Sequence, residues 1–207
     1  WREFDHIHAV TEIIVPGLQR ARPGAPVRIW HAACASGEEP YTMAIALTEA
    51  GCYKRGPIRI TATDFNKQAL SNAEAGVYRQ RAFRSMPADI WNRYFTTSGG
   101  SQYQINDAIR AKVNFKYQNL LDPPSMSAMR GFDIIFCRNV FIYFSDVAVR
   151  RVAGWFYQAL EDRGYLFVGT VESLLRLTNL YELVEVGNAF AYQKRPLESD
   201  YLPAAEE

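Results

Sequence analysis

Cysteine is scarce in this chain of 207 residues: Cys34, Cys52 and Cys137 are odd in number, far apart, and form no C-x-x-C pair. That argues against a disulfide framework and for a reducing, cytoplasmic setting. Histidine is equally sparse. His6 and His8 lie near the N-terminus and His31 follows an apolar run, without the partners a metal site needs, so no metal is read. No apolar stretch approaches the roughly 20 residues that span a bilayer, so no membrane insertion is expected. Charge of one sign is missing too: 23 basic against 22 acidic residues leave a net charge of +1, which offers no overall attraction for nucleic acid. No signal-peptide pattern is read in these residues. The chain opens on Trp1 rather than Met, and the expectation is an upstream segment.

What is present is a 48% hydrophobic sequence that alternates short apolar runs with helical patterns. Residues 4–20 carry Phe4, Ile7, Val10, Ile13, Ile14 and Leu18 at helical spacing, stopped by Pro23, Gly24 and Pro26. Strands are predicted at Val27–Ala32, Ile58–Thr63, Val113–Gln118, Phe132–Cys137 and Gly164–Gly169. Helices are predicted at Glu38–Ala50, Asn66–Ala75 and from Ser145 to about Leu160. Tyr181–Val186 and Phe190–Lys194 flank Gly187-Asn188 and read as a terminal hairpin. Strands separated by helices predict an α/β, mostly parallel sheet covered on both faces, with the hairpin as an antiparallel edge. Residues 77–112 or so break the alternation. They read as an inserted subdomain, with Gln102–Ile105 and Ala108–Lys112 as strands about an Asn106-Asp107 turn. Its charge is lopsided, with Arg79, Arg81, Arg84, Arg93, Arg110, Lys112 and Lys116 against Asp89 and Asp107.

Residues 28–41, RIWHAACASGEEPY, are the most telling stretch. Ala32, Ala33, Ala35, Ser36 and Gly37 permit close approach of a ligand to the backbone. Glu38, Glu39 and Pro40 suit a helix start. Carboxylates there compete with a pyrophosphate, and the loop holds Gly37 alone rather than G-x-G-x-x-G, which weighs against a dinucleotide oxidoreductase. A ligand with hydroxyls and a positive charge fits better, and S-adenosylmethionine is one. Asp64, at the end of the second strand, is placed to accept from ribose hydroxyls; as an alternative it caps the following helix, with Asn66 competing for that role. Arg138 and Asn139 end an apolar strand, a costly position unless they meet partners. Ligands in such sheets bind outside the carboxyl ends of the strands, which places the 32–38 turn, Asp64, Asn119 and Asn139 along one rim. Tyr143 reads either as a packed aromatic or as part of that rim, and Asn139 equally as a turn former.

Taken together, RIWHAACASGEEPYTMAI, ATDFNKQALSNAEAGVYR, QNLLD, FDIIFCRNVFIYF and GYLFVGTVES resemble, in order, the CheR family of chemoreceptor glutamate methyltransferases. The resemblance runs from about Trp1 to Lys194. It implies a Rossmann-like class I methyltransferase sheet with a small inserted β-subdomain, and transfer of methyl from S-adenosylmethionine to receptor glutamates, leaving S-adenosylhomocysteine. By resemblance Ala32, Glu38 and Asp64 line the cofactor, Asn119-Leu120 flank the adenine and Asn139-Val140 hold the methionine portion. Tyr143 lies beside the transferred methyl, and Arg2, in Trp1-Arg2-Glu3, is the active-site arginine, also in contact with the cofactor. Residues 1–22 then form a linker helix after a helical domain, 23–195 the methyltransferase domain, and 196–207 an acidic tail.

Two departures stand out. Many relatives carry G-H-S-E where this chain has Gly169-Thr170-Val171-Glu172, so that position is given no catalytic duty. The insertion after Tyr94-Phe95 is a few residues shorter than in members that grip a receptor pentapeptide, so tether-independent action on the receptor's cytoplasmic helices is expected. Two other functions compete. One is an RNA methyltransferase that stacks bases on Tyr78, Phe83, Trp91, Tyr94 and Phe95; the other is a non-catalytic cofactor-binding signalling protein.

Overall fold

A computed structural model describes residues 4–83 and 86–196 of the chain. In order the elements are α1 (Phe4–His8), a π-helical turn (Ala9–Ile14), α2 (Val15–Ala21), β1 (Val27–Ala32), α3 (Glu38–Glu49), α4 (Cys52–Arg55), β2 (Ile58–Asp64) and α5 (Lys67–Ala75). The insertion follows with β3 (Val77–Arg79), a 3₁₀ turn (Gln80–Phe83), α6 (Ala88–Tyr94), β4 (Phe95–Thr97), β5 (Gln102–Ile105) and α7 (Asp107–Arg110). The chain then continues through β6 (Val113–Tyr117), α8 (Pro123–Ser127), β7 (Phe132–Cys137), a 3₁₀ turn (Phe141–Tyr143), α9 (Asp146–Ala159), β8 (Leu160–Val168), β9 (Tyr181–Val186) and β10 (Ala189–Lys194).

Seven strands form one sheet in the order β6-β2-β1-β7-β8-β10-β9. β6, β2, β1, β7 and β8 pair in parallel; β10 runs antiparallel to both β8 and β9. Strand order reverses between β1 and β7, and ligands in such sheets bind outside the carboxyl ends of the strands at that switch point. Both faces are covered, which is why β7 is buried at every position. Val27 and Ile29 of β1 face α3 and the N-terminal helical segment, whereas Trp30 and Ala32 face α9 through Val152 and Phe156. Among the described residues no helix is long and apolar enough to cross a membrane.

The N-terminal amphipathic stretch is helical throughout, with a π-helical segment at its middle that the 3.6-residue period does not anticipate. Pro16 lies two residues beyond its end. It has no N–H to donate, and its ring crowds the carbonyl four residues back, so the ladder widens there. Asn66, not Asp64, caps α5: its side chain accepts from Gln68 and Ala69 N–H. β8 begins earlier than expected, at Leu160 directly after α9, with an irregularity in its pairing to β7.

The insertion requires a correction. Ala108–Lys112 is not a strand, and Asn106-Asp107 is not a hairpin turn. Asn106 accepts from Ile109 N–H and caps the short helix α7. The side-chain oxygen that favours turns serves equally well as a helix cap, and helical closure wins here. The antiparallel sheet is instead β3-β5-β4, with β4 and β5 joined across residues 98–101. Phe83 stacks on Trp91 at 5.3 Å and meets Phe95 and Tyr103 edge-on, which forms the subdomain's own core.

β3 also ties the insertion to the main sheet. The Tyr78 hydroxyl donates to Ser36 O at 2.8 Å, and a Cβ added at Gly37 would lie 3.2 Å from that hydroxyl. Tyr78→Phe removes this bond and leaves the Ser36 carbonyl without its donor. The expected loss is about 1 kcal/mol of unfolding free energy, read by urea denaturation, with faster amide exchange in residues 33–37.

Candidate functional site

β6, β2, β1 and β7 lie side by side and parallel, so their carboxyl ends form one rim. Ala32 ends β1, Asp64 ends β2, Asn119 and Leu120 follow β6, and Asn139 and Val140 follow β7. Gln118 N–H donates to Asp64 O at 2.9 Å, which holds the segment after β6 beside the end of β2. Asn119 is exposed and accepts Leu121 N–H in a local turn, while Leu120 is buried.

The turn after β1 is wound tightly. Ala33, Ala35 and Gly37 have φ of 58°, 48° and 85°. A left-handed alanine costs roughly 1–2 kcal/mol, so such a turn persists only where its surroundings hold it. Cys34 N–H donates to Thr63 O at 2.9 Å, and Ala35 N–H to Asp64 Oδ2 at 2.8 Å. Asp64 Oδ1 accepts Asn66 N–H at 2.8 Å. Asp64 therefore fastens the turn to the sheet and retains one further lone-pair direction on each oxygen. Gly37 is required: a Cβ there would lie 2.9 Å from Ala73 Cβ, and its φ favours glycine. Burial beside Asp64 raises the Cys34 thiol to about 12, so it is no nucleophile.

Glu38, in the first turn of α3, is exposed at the rim, and Ser36 Oγ donates to its two carboxylate oxygens at 3.0 and 2.8 Å. Glu39 turns the other way. Its Oε1 lies 2.7 Å from His31 Nδ1, and its Oε2 accepts Arg138 Nη1 at 2.8 Å. Burial pushes the Glu39 carboxyl up, but the hydrogen bonds and charges of His31 and Arg138 outweigh burial and hold it below the ordinary value. His31 stacks on Phe136 at 4.9 Å, Phe136 on Phe167 at 4.8 Å, and His6 of α1 lies tilted 5.2 Å from Phe167. This aromatic row crosses β1, β7 and β8 beneath the rim.

Beyond β7, Asn139 takes φ of 60°, and Tyr143 stands 80% exposed in the 3₁₀ turn, so it is not a packed core aromatic. Glu172, after β8, is buried and accepts the N–H groups of Asn139, Val140 and Phe141 at 2.8, 2.8 and 2.7 Å. Of the residues expected at the site, Ala32, Glu38, Asp64, Asn119, Leu120, Asn139, Val140 and Tyr143 come to this rim or its flanking turns. Arg2 lies outside the described residues. Sequence reasoning missed three participants. Glu39 was legible only as a helix-start acid, His31 as a strand residue, and Glu172 as an acid without a duty. The signal for Glu172 was its burden of charge next to the apolar β8, which demands a partner.

The fit of a methyl donor rests on the same features. Apart from the Cys34 thiol and the Ser36 hydroxymethyl, the turn after β1 offers nothing larger than a methyl, and carboxylates stand at both of its ends. That suits hydroxyls and a cation rather than a phosphate.

Sequence comparison with known proteins agrees. The family model for the CheR methyltransferase SAM binding domain matches residues 1–190. The Vibrio cholerae chemotaxis protein methyltransferase 2 is 32% identical over 94% of this chain and 68% of its own length. The Pseudomonas aeruginosa chemotaxis protein methyltransferase 1 is 37% identical over 94% of this chain and 72% of its own. Among solved structures, the DszA carbon methyltransferase aligns with a TM-score of 0.47 at 16% identity, over 79% of this chain and 35% of its own.

The Glu39 cluster carries a pH signature. Its folded-state pKa lies below the unfolded value of 4.5, so its contribution is complete above that value and is lost as pH falls through the lowered folded pKa. The difference in unfolding free energy between the unaltered chain and Glu39→Gln should shrink steadily as pH falls below 4.5. Denaturant titrations from pH 7 to pH 3 read it.

Proposed function

The chain belongs to the CheR family of S-adenosylmethionine-dependent methyltransferases, and from that premise we propose that it methylates glutamate side chains on the cytoplasmic helices of a chemoreceptor. The single observation that carries the reading is the rim itself: a small-residue turn, flanking carboxylates at Glu38 and Asp64, and an exposed Tyr143 on the neighbouring strand's turn.

S-adenosylmethionine, when bound, supplies an electrophilic methyl group on a sulfonium. The residues' duties follow from their chemistry. Asp64 offers its remaining lone pairs to ribose hydroxyls, and Asn119-Leu120 border the adenine. Glu38 faces the charged end, and Asn139-Val140 hold the methionine portion. Phe65, exposed directly after Asp64, is a further surface for the nucleoside. A glutamate side chain is ionised at neutral pH, so the nucleophile needs no general base. What the protein supplies is alignment of carboxylate, methyl and sulfonium, which at best contributes roughly 7–11 kcal/mol. In this reading Arg2 holds the incoming carboxylate by a paired fork and Tyr143 orients it.

Support against the RNA alternative comes from the insertion. Four of the five aromatics that stacking on bases would use are buried, Tyr78, Phe83, Tyr94 and Phe95 at 7–8% exposed, and Trp91 is half-buried against Phe83. Part of its basic charge is also engaged, Arg93 with Glu49, Arg110 with Asp107, and Lys112 over the Tyr53 ring. The acidic helices of a receptor remain the better partner for Arg79 and Arg81, and the short link between β4 and β5 favours action without a pentapeptide tether.

Incubation with S-adenosylmethionine and a receptor cytoplasmic fragment should place base-labile methyl esters on glutamates, read by peptide mass spectrometry. Transfer to RNA instead, or to no acceptor, would refute the reading. Asp64→Ala should weaken S-adenosylhomocysteine binding by about tenfold or more in calorimetry, since charge-assisted bonds and the turn are lost together. Unchanged affinity removes Asp64 from the ribose site.

A further inference from the structure

After β7 the chain leaves both sheet and helix, and four successive backbone N–H groups, those of Asn139 to Ile142, need acceptors. One side chain receives them. Glu172 Oε2 accepts Asn139 N–H at 2.8 Å and Gly169 N–H at 2.6 Å. Its Oε1 accepts Val140 N–H at 2.8 Å, Phe141 N–H at 2.7 Å and, more weakly, Ile142 N–H at 3.4 Å. A carboxylate has about four lone-pair directions, so Glu172 has none left for a ligand.

The packing around it is equally close. A Cβ added at Gly169 would lie 2.8 Å from Glu172 Oε2 and 3.1 Å from Asn139 Nδ2. The backbone of Gly169 thus touches the turn directly, and Asn139 is held with a positive φ of 60°. The 3₁₀ turn continues from this point, with Tyr143 N–H donating to Val140 O at 3.0 Å. On the opposite flank Arg138 is tied to Glu39. The turn that presents Asn139 and Tyr143 therefore takes its shape from a residue some thirty positions later in the chain.

We propose that Glu172 is a positioning residue for methyl transfer: its carboxylate sets the backbone of residues 139–143, and through it the methionine end of the cofactor site, without touching either reactant. The inference rests on the placement of the methionine portion at Asn139-Val140 given above. It assigns to this position a duty that the absence of the family's histidine at Thr170 does not remove.

The test separates the two ends of the cofactor. Glu172→Gln is isosteric, yet one oxygen becomes an amino group that points hydrogens at backbone N–H donors, so at least two bonds are lost. Calorimetry on the full chain with S-adenosylhomocysteine should show affinity weakened tenfold or more, roughly the effect of losing charge-assisted bonds. Methylthioadenosine, which lacks the amino-acid end, should bind within about twofold of the unaltered chain, because the clamp does not reach the nucleoside side. Amide exchange at residues 139–142 should accelerate while β7 stays protected. Glu172→Asp keeps the charge on a shorter arm and should fall between the two chains. With a methyl acceptor and saturating cofactor, kcat should drop by roughly 10²-fold, the scale of a 1 Å misplacement.

Equal loss of affinity for both ligands assigns Glu172 to general stability and overturns the proposal. So does unchanged affinity for both, unchanged exchange at 139–142, or failure of both variants to fold. If the unaltered chain methylates no receptor glutamate, the substrate reading fails by itself. The two affinities and the exchange rates still decide the duty of Glu172.

Discussion

A backbone N–H beyond the end of a parallel strand has no ladder partner, and burying it without an acceptor costs about as much as a lost hydrogen bond. The rim of this sheet is built around that constraint. Two buried acids meet it at the switch point: Asp64 takes the N–H groups of Ala35 and Asn66, and Glu172 takes those of the turn after β7. Asp64 ends β2 and Glu172 lies four residues past the end of β8, and each holds the turn that follows the adjacent strand. The shape of the rim is thus held by carboxylates rather than by the local preference of the turns alone.

Magnitudes show why acids are needed. Ala33 and Ala35 adopt positive φ, at roughly 1–2 kcal/mol each. A neutral hydrogen bond contributes about 1 kcal/mol net, which barely offsets one such residue, whereas bonds to a charged group contribute about 1.5–3. The Asp64 bond to Ala35 N–H is of the second kind. Asn139 is a milder case, since asparagine tolerates the left-handed region, and the demand on Glu172 comes instead from the number of N–H groups it must satisfy. Glu39 follows different logic. It gathers a histidine and an arginine, and its lowered pKa shows that these partners outweigh its burial. Desolvation opposes that attraction, so breaking the cluster by removing one partner costs more than the intact cluster contributes. The cluster also sets the distance between the start of α3 and the end of β7.

Much of this arrangement was legible in the chain. Val27–Ala32 and Phe132–Cys137 stand where their apolar runs predict, because strands covered on both faces carry no competing pattern. Asp64 and Asn139 were found by position alone, as polar residues at strand ends. The failures share a cause. Ala108–Lys112 was misread because a capping asparagine and a turn asparagine carry the same local signal, and only packing of the buried Ile109 separates them. Glu172 escaped because its partners lie some thirty residues away and are backbone groups, invisible to any reading of side chains. The exposure of Tyr143 was left open for the same reason: an aromatic after a buried strand can point inward or outward, and the clamp on residues 139–142 decides which.

The insertion, finally, is more than an appendage to the sheet's edge. Tyr78 reaches from β3 to the carbonyl of Ser36, inside the turn whose alanines hold strained backbone. Gly37 must be glycine partly because Tyr78 and Ala73 crowd it. The turn is therefore held from two sides, by the Asp64 carboxylate and by the Tyr78 hydroxyl. The subdomain that carries the exposed basic side chains Arg79 and Arg81 is thus joined by a direct hydrogen bond to the turn after β1.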